Sequence, residues 1–196
     1  MKLFHSPTSP YVRKVMAVAM AAGVDQQIKL IPTNPHVSPP DLVAMNPLCR
    51  VPCLVTQDDV GLFDSPVICE YLDSIGGANL FPPPGAARWR ALKQQAIGDG
   101  IMDAAVTRRG EMARPEEPAR TEAMNRHAHA VTRSLDLLEA DTPATHLDIG
   151  TIAIACALGY LDLRFATETW RKSRPKLTAW YEKMAARPEI ANTAPP

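Results

Sequence analysis

Lys2-Leu3-Phe4-His5-Ser6-Pro7-Thr8-Ser9-Pro10-Tyr11-Val12-Arg13-Lys14-Val15-Met16 occupies residues 2–16 and decides the first half of the fold. Lys2 to His5 is short and leans apolar, as a first strand does. Pro7 and Pro10 mark a turn. Val12, Val15, Met16, Ala19 and Met20 then recur at i, i+3, i+4, i+7 and i+8, the stripe of an amphipathic helix. Pro10 suits the first helical position, Ser9 the N-cap before it, and Gly23 the stop.

Working outward, Ile28 to Ile31 reads as a second strand. Pro32 to Pro40 carries four prolines and must be a loop, after which Asp41 is expected to cap a short helix ending at Met45. Cys53 to Thr56 and Val60 to Phe63 form a hairpin across Gln57-Asp58-Asp59. Asp64-Ser65-Pro66 starts a helix with its apolar stripe on Ile68, Tyr71, Leu72 and Ile75. The order β-α-β-loop-β-β-α gives a mixed sheet with helices packed on it.

Phe81-Pro82-Pro83-Pro84-Gly85 supports neither helix nor central strand and reads as a linker. Every later signal is helical. Trp89, Leu92 and Ala96 begin a long helix running past Arg109. Met124, Ala128, Val131, Leu135 and Leu138 recur at spacings of 4, 3, 4 and 3. Thr151 to Tyr160 is apolar on all sides and belongs at the centre of a bundle. Leu177, Trp180, Tyr181 and Met184 stripe the last helix. The expected organisation is an α/β domain over 1–78, a linker over 79–86 and an all-helical domain over 87–196.

Composition removes several function classes. The 196 residues include 46% hydrophobic ones, enough for a chain of this size to bury roughly 70% of its unfolded surface without a metal or disulfide. Lys+Arg and Asp+Glu are 21 each, which argues against nucleic acid or an anionic membrane as the main partner. Cys49, Cys53, Cys69 and Cys156 make no C-x-x-C pair and read as free thiols. The start of the chain lacks the apolar stretch of a signal peptide, and Ile152 to Leu161 is about half a membrane span. The expectation is a soluble, cytoplasmic protein with no metal site. His127 and His129 point about 200° apart on their helix and do not share a metal.

Three segments carry chemistry. Ser6 to Arg13 places hydroxyls at a helix mouth, where free N–H groups and the helix dipole favour an anion such as a thiolate. Ser9 either caps that helix or donates to the anion. In Asn46-Pro47-Leu48-Cys49-Arg50-Val51-Pro52-Cys53, a cis Val51–Pro52 bond exposes the Val51 amide and carbonyl to a ligand lying alongside as an extra strand. Arg50 is either a carboxylate clasp or a solvated cation. In Phe63-Asp64-Ser65-Pro66-Val67, Asp64 accepts from an ammonium while Ser65 caps a helix whose N–H groups hold a carboxylate. Together these describe an amino-acid end, although plain capping uses the same residues.

Ser-Pro at 9–10, Asn-Pro-x-x-x-Val-Pro at 46–52 and Asp-Ser at 64–65 resemble, in order and identity, the N-terminal domain of the glutathione transferases. The stretch Asp148-Ile149-Gly150-Thr151 leading into the apolar helix is similar to that family's helix-capping box. The start of the chain is closest to a small bacterial subgroup beginning Ser-x-Thr-Ser-Pro-x-Val-Arg-Lys. The resemblance implies a thioredoxin-like first domain, a helical bundle and a homodimer. It further implies a detoxifying transferase that activates the glutathione thiol against a small electrophile, with glutathione as co-substrate and no other cofactor. By position, the resemblance implies that Ser9 faces the sulfur, with Thr8 and Tyr11 as substitutes and as residues of the acceptor pocket; Val51 beside Pro52 pairs with the cysteinyl backbone. Asp64 and Ser65 hold the γ-glutamyl end, and Arg50 reaches the glycyl carboxylate.

The departures are Asp64 for the commoner Glu, Thr151 for the acidic partner in the capping box, which is expected to weaken that cap, and a thiol at Cys49. Arg108, Arg109 and Arg114 read as a solvated or pocket-rim cluster, with the holding of an acidic acceptor as the sharper alternative. Rival functions are a glutathione-dependent thiol–disulfide or peroxide reductase, which Ser9 counts against, and a non-enzymatic stress-response binding protein of the same fold. No motif names the electrophile.

Overall fold

The computed structural model describes residues 1–196 as two compact units, residues 1–88 with 188–196 and residues 89–187. The first unit contains β1 (Lys2–His5), α1 (Pro10–Ala21), β2 (Lys29–Pro32), α2 (Pro40–Met45), β3 (Cys53–Val55), β4 (Gly61–Leu62) and α3 (Ser65–Gly76). The sheet order is β2-β1-β3-β4. β2 runs parallel to β1, while β3 and β4 pair antiparallel, so the sheet is mixed and thioredoxin-like.

α1 starts as its sequence dictates. Ser9 is the N-cap, Pro10 the first helical residue, and Gly23 takes the left-handed conformation just past the end. Its buried face is wider than the stripe: Ala17 and Val18 are buried with Val12, Val15 and Ala19, and so are Arg13 and Lys14. The cause is that α1 packs against α3 as well as a short helix from the end of the chain. That helix, α8 (Pro188–Ala191), was counted with the helical half from sequence but belongs to the first unit. Ile190 is fully buried, and its carbonyl accepts from Arg13 Nη2 at 3.0 Å.

Two edges differ from the sequence reading. β2 begins at Lys29 because the Ile28 amide donates to Asp25 in a helical turn. α2 has Pro39 at its N-cap and Asp41 inside its first turn, with no side-chain cap. α3 closes on Gly77, and the buried Asp73 carboxylate accepts from the amides of Leu80 and Phe81 at 3.0 Å each. Those two bonds hold the Pro-rich segment that follows.

The second unit is built from α4 (Ala86–Glu111), α5 (Pro118–Ala140), α6 (Ile149–Arg164) and α7 (Pro175–Ala185). Every residue of α6 from Ile149 to Leu161 is buried. α4 and α6 approach backbone to backbone, which Gly98 and Gly150 permit. A Cβ on Gly98 would stand 2.6 Å from the Ala153 carbonyl carbon, and one on Gly150 would stand 2.6 Å from the Ala91 oxygen.

The α6 cap corrects one expectation. Asp148 Oδ1 accepts from the Thr151 amide at 2.8 Å, and Thr151 Oγ1 accepts from the Asp148 amide at 3.0 Å. The box is complete, with a threonine hydroxyl serving where the acidic partner was thought necessary. No helix is long and apolar enough to cross a membrane.

Candidate active site

All three chemistry-bearing segments leave the sheet at one end. Phe4 pairs with Cys53, so the end of β1 lies beside the start of β3. Leu54 pairs with Leu62, so the end of β4 lies there too. The Ser6–Ser9 loop, Val51–Pro52 and Asp64–Ser65 are therefore neighbours by strand register. The N-termini of α1 and α3 lie on the same end, each bringing first-turn N–H groups and the positive end of a dipole.

Ser9 is half-buried, and its Oγ accepts from the Val12 amide at 3.3 Å. It therefore caps α1. Capping uses an acceptor site of the hydroxyl and leaves its hydrogen to donate, so both readings of Ser9 fit the same geometry. Thr8 and Tyr11 flank it, both half-buried.

The second segment is held from below by Asn46, which is 1% exposed. Its Nδ2 donates to the Arg50 carbonyl at 2.9 Å and its Oδ1 accepts from the Leu48 amide at 3.0 Å. Cys49 sits at φ 50° and its thiol donates to the Pro35 carbonyl at 3.3 Å. Arg50 is exposed, Val51 half-buried and Pro52 buried. The Val51–Pro52 peptide bond is cis, and Val51 lies two residues before the start of the β1–β3 ladder at Cys53.

At the third segment the cap assignment shifts by one residue. Asp64, not Ser65, is the N-cap of α3, and its side chain makes no cap bond. Ser65 is the first helical residue and is 2% exposed. The Asp64 carboxylate is exposed and the first-turn amides of α3 have no side-chain acceptor from the cap. This leaves an acceptor for an ammonium beside donors for a carboxylate.

Burial sets the charge state of the groups beneath. It pushes the Cys53 thiol up to about 11 and lowers the His5 pKa. Burial thus disfavours the thiolate of Cys53 and the imidazolium of His5 at the sheet end. Phe4, Leu42, Cys53 and Val55 form the core there, with Cys49, Val51 and Phe63 packed against it.

A family model for the glutathione S-transferase N-terminal domain matches residues 8–75. The uncharacterized GST-like protein YibF of Escherichia coli K12 is 35% identical, over 100% of this chain and 99% of its own. The chain belongs to the glutathione S-transferase family. A family member from Pseudomonas fluorescens Pf-5, solved with bound glutathione, superposes with a TM-score of 0.93 at 40% identity, over 100% of this chain and 98% of that one. A second structure of a Pf-5 family member, with S-(propanoic acid)-glutathione, gives a TM-score of 0.89 at 40% identity and full coverage of both chains.

Among the glutathione S-transferase features, sequence reasoning passed over Asn46 as a side chain with a task. Its signal was present in Asn-Pro-x-x-x-Val-Pro, since a buried amide beside a non-repetitive loop must satisfy itself on that loop's backbone. His5 had no signal, because its burial depends on the layers packed over the end of β1.

Proposed function

We propose that this chain is a cytoplasmic, homodimeric glutathione transferase that ionises the glutathione thiol and directs it at a small electrophile in detoxification. The observation that carries this reading is the convergence of two helix N-termini, that of α3 uncapped by a side chain, and the cis-proline segment at one sheet end. Ser9 donates to the sulfur while the α1 N-terminus favours its negative charge. Val51 pairs its backbone with the cysteinyl part. Asp64 accepts from the γ-glutamyl ammonium, and Ser65 with the first-turn amides of α3 holds the α-carboxylate. Arg50 reaches the glycyl carboxylate, and Thr8 and Tyr11 border the acceptor. Glutathione is the co-substrate, and the reaction so drawn uses no metal.

The chemistry is nucleophilic: the thiolate forms an S–C bond as the acceptor loses a leaving group or a π bond. The product-like ligand of the second Pseudomonas structure supports a small acceptor. Thiol–disulfide exchange fits less well, because a serine caps α1, the Cys49 thiol donates to Pro35, and burial holds Cys53 protonated.

Thermal melts with and without glutathione test the binding. At free ligand of about 100 times the dissociation constant, stability rises by about 2.7 kcal/mol. No shift at millimolar glutathione overturns the assignment. Turnover of a panel of electrophiles separates an enzyme from a binding protein, which turns over none. Sedimentation at twice the 21.4 kDa chain mass supports the dimer, and a stable 21.4 kDa species contradicts it.

A further inference from the structure

The last residues of the chain lie against the helix that Ser9 caps. After α7 the chain returns to the first unit, where α8 packs on α1. Ile190 is fully buried there. Its carbonyl accepts from Arg13 Nη2 at 3.0 Å and from Thr193 Oγ1 at 3.3 Å, so both of its lone pairs are used. Thr193 Oγ1 also reaches the Glu189 carbonyl at 2.8 Å, and the Asn192 amide donates to the Pro188 carbonyl at 3.0 Å. Residues 188–193 are thus folded on themselves as well as docked.

Arg13 carries that docking to the candidate site. Pro10 opens α1, so Arg13 closes its first turn. The Arg13 amide donates to the Ser9 carbonyl at 3.1 Å, next to the Val12 amide that donates to Ser9 Oγ at 3.3 Å. The Ser9 amide in turn donates to the Ser6 carbonyl at 3.1 Å. Ser6, Ser9, Val12 and Arg13 form one hydrogen-bonded unit at the head of α1, and the Arg13 side chain ties it to a residue 177 positions away. Arg13 is 9% exposed. Withdrawing a guanidinium from water is unfavourable, and a hydrogen bond to a neutral carbonyl offsets only part of that. An apolar side chain would fill the same space without the cost. What it would not supply is a directed bond that fixes where the turn stands.

We propose that Arg13 is a positioning residue and that α8 is the clasp it closes. Together they hold the first turn of α1, with the Ser9 hydroxyl and the first-turn amides, in the place that a bound glutathione thiolate requires. The inference rests on the transferase reading above. A hydrogen bond to the sulfur weakens as the donor's geometry slips, and a shift of about 1 Å caused away from the chemistry can cost about 10²-fold in rate. Freed of the clasp, the turn keeps its own hydrogen bonds and loses its fixed place, so glutathione still binds with its thiolate less stabilised.

The clasp is tested in the full chain with Arg13→Gln, Arg13→Lys, Ile190→Ala and the Arg13→Gln/Ile190→Ala double variant, each measured well below its melting temperature. The readouts are ultraviolet titration of the bound glutathione thiol and the glutathione dissociation constant. Arg13→Gln and Ile190→Ala are each expected to raise the thiol pKa by about 0.5–1 unit, a part of what one hydrogen bond to an anion is worth, with affinity nearly kept. The double variant should shift it by less than the sum, because both changes open one contact. Arg13→Lys keeps a donor and should recover part of the parent value. Where Arg13→Gln does not fold, Arg13→Lys and Ile190→Ala carry the comparison.

A clasp that is only structural lowers the melting temperature and leaves the thiol pKa of every variant at the parent value, which overturns the proposal. Shifts that add in full overturn it as well. Amide hydrogen exchange without ligand keeps the two readings apart. Faster exchange at Val12 and Arg13 in Ile190→Ala is expected, and unchanged exchange while the parent binds glutathione overturns the clasp alone. A parent chain that binds no glutathione sinks the transferase reading and the positioning role with it, and the exchange rates then decide only whether α8 holds the turn.

Discussion

Asp148 and Asp64 stand at the same point of their helices, each the last residue before the first helical turn. Asp148 is 6% exposed; Oδ1 takes the Thr151 amide, Oδ2 faces His146 Nε2 at 3.0 Å, and the Thr151 hydroxyl answers back to the Asp148 amide. Asp64 is exposed and caps nothing. Ser9 lies between these extremes, half-buried, with one capping bond at 3.3 Å. A helix start that closes on its own side chains stabilises the chain and offers little to a ligand. A helix start that leaves its amides open contributes less stability and is available to bind an anion. The contrast separates a structural cap from a site cap by geometry alone.

The largest expected effect breaks the closed cap. Asp148→Ala removes the acceptor of a buried amide at the head of α6 and should lower unfolding free energy by about 2–3 kcal/mol in urea titration. Asp64→Ala should stay within about 0.5 kcal/mol of the parent in the same experiment. Equal losses from the two would erase the distinction between the caps.

Next in size is the binding effect at the open cap. Ser65→Ala, and separately Asp64→Ala, should weaken glutathione by about 1.5–3 kcal/mol, tenfold or more, when titrated calorimetrically. Full affinity in both variants would remove the γ-glutamyl end from α3.

Ser9→Ala sharpens the middle case. Loss of its cap bond should lower stability by about 1 kcal/mol. Loss of the donor to the sulfur should slow conjugation roughly 10- to 100-fold with affinity nearly kept. A stability loss with no change in rate would put Ser9 wholly on the structural side.

The smallest effect comes from His5. Its folded pKa is lowered by burial, so below pH 6.5 the unfolded chain binds more protons than the folded one. The contribution is complete above 6.5 and is lost as pH falls through the folded value. His5→Gln should therefore flatten the decline of stability on acidification below pH 6.5 and leave the slope above it alone. An unaltered acid slope would remove His5 from the account.

Much of this was legible in the sequence because it is local. Ser9, Pro10 and Gly23 fix α1 through backbone preferences that neighbouring residues alone decide. The Asn-Pro-x-x-x-Val-Pro pattern marked the cis-proline segment. What escaped depended on distant partners. Residues 188–191 join the first unit through Arg13, whose position in sequence gives no hint of Ile190. The α3 cap moved by one residue, from Ser65 to Asp64, since both are good cap residues and only the backbone path chooses between them. Thr151 was underrated because its hydroxyl completes the box only in the geometry set by Asp148 and His146.

The most direct measurement of the central claim is ultraviolet titration of bound glutathione thiolate on the parent chain and on Ser9→Ala. The account predicts a thiol pKa below that of free glutathione in the parent, raised by about 1–2 units in Ser9→Ala as one hydrogen bond to the anion is lost. An identical pKa in the two proteins would contradict it and pass the role to Thr8, Tyr11 or the backbone amides around them.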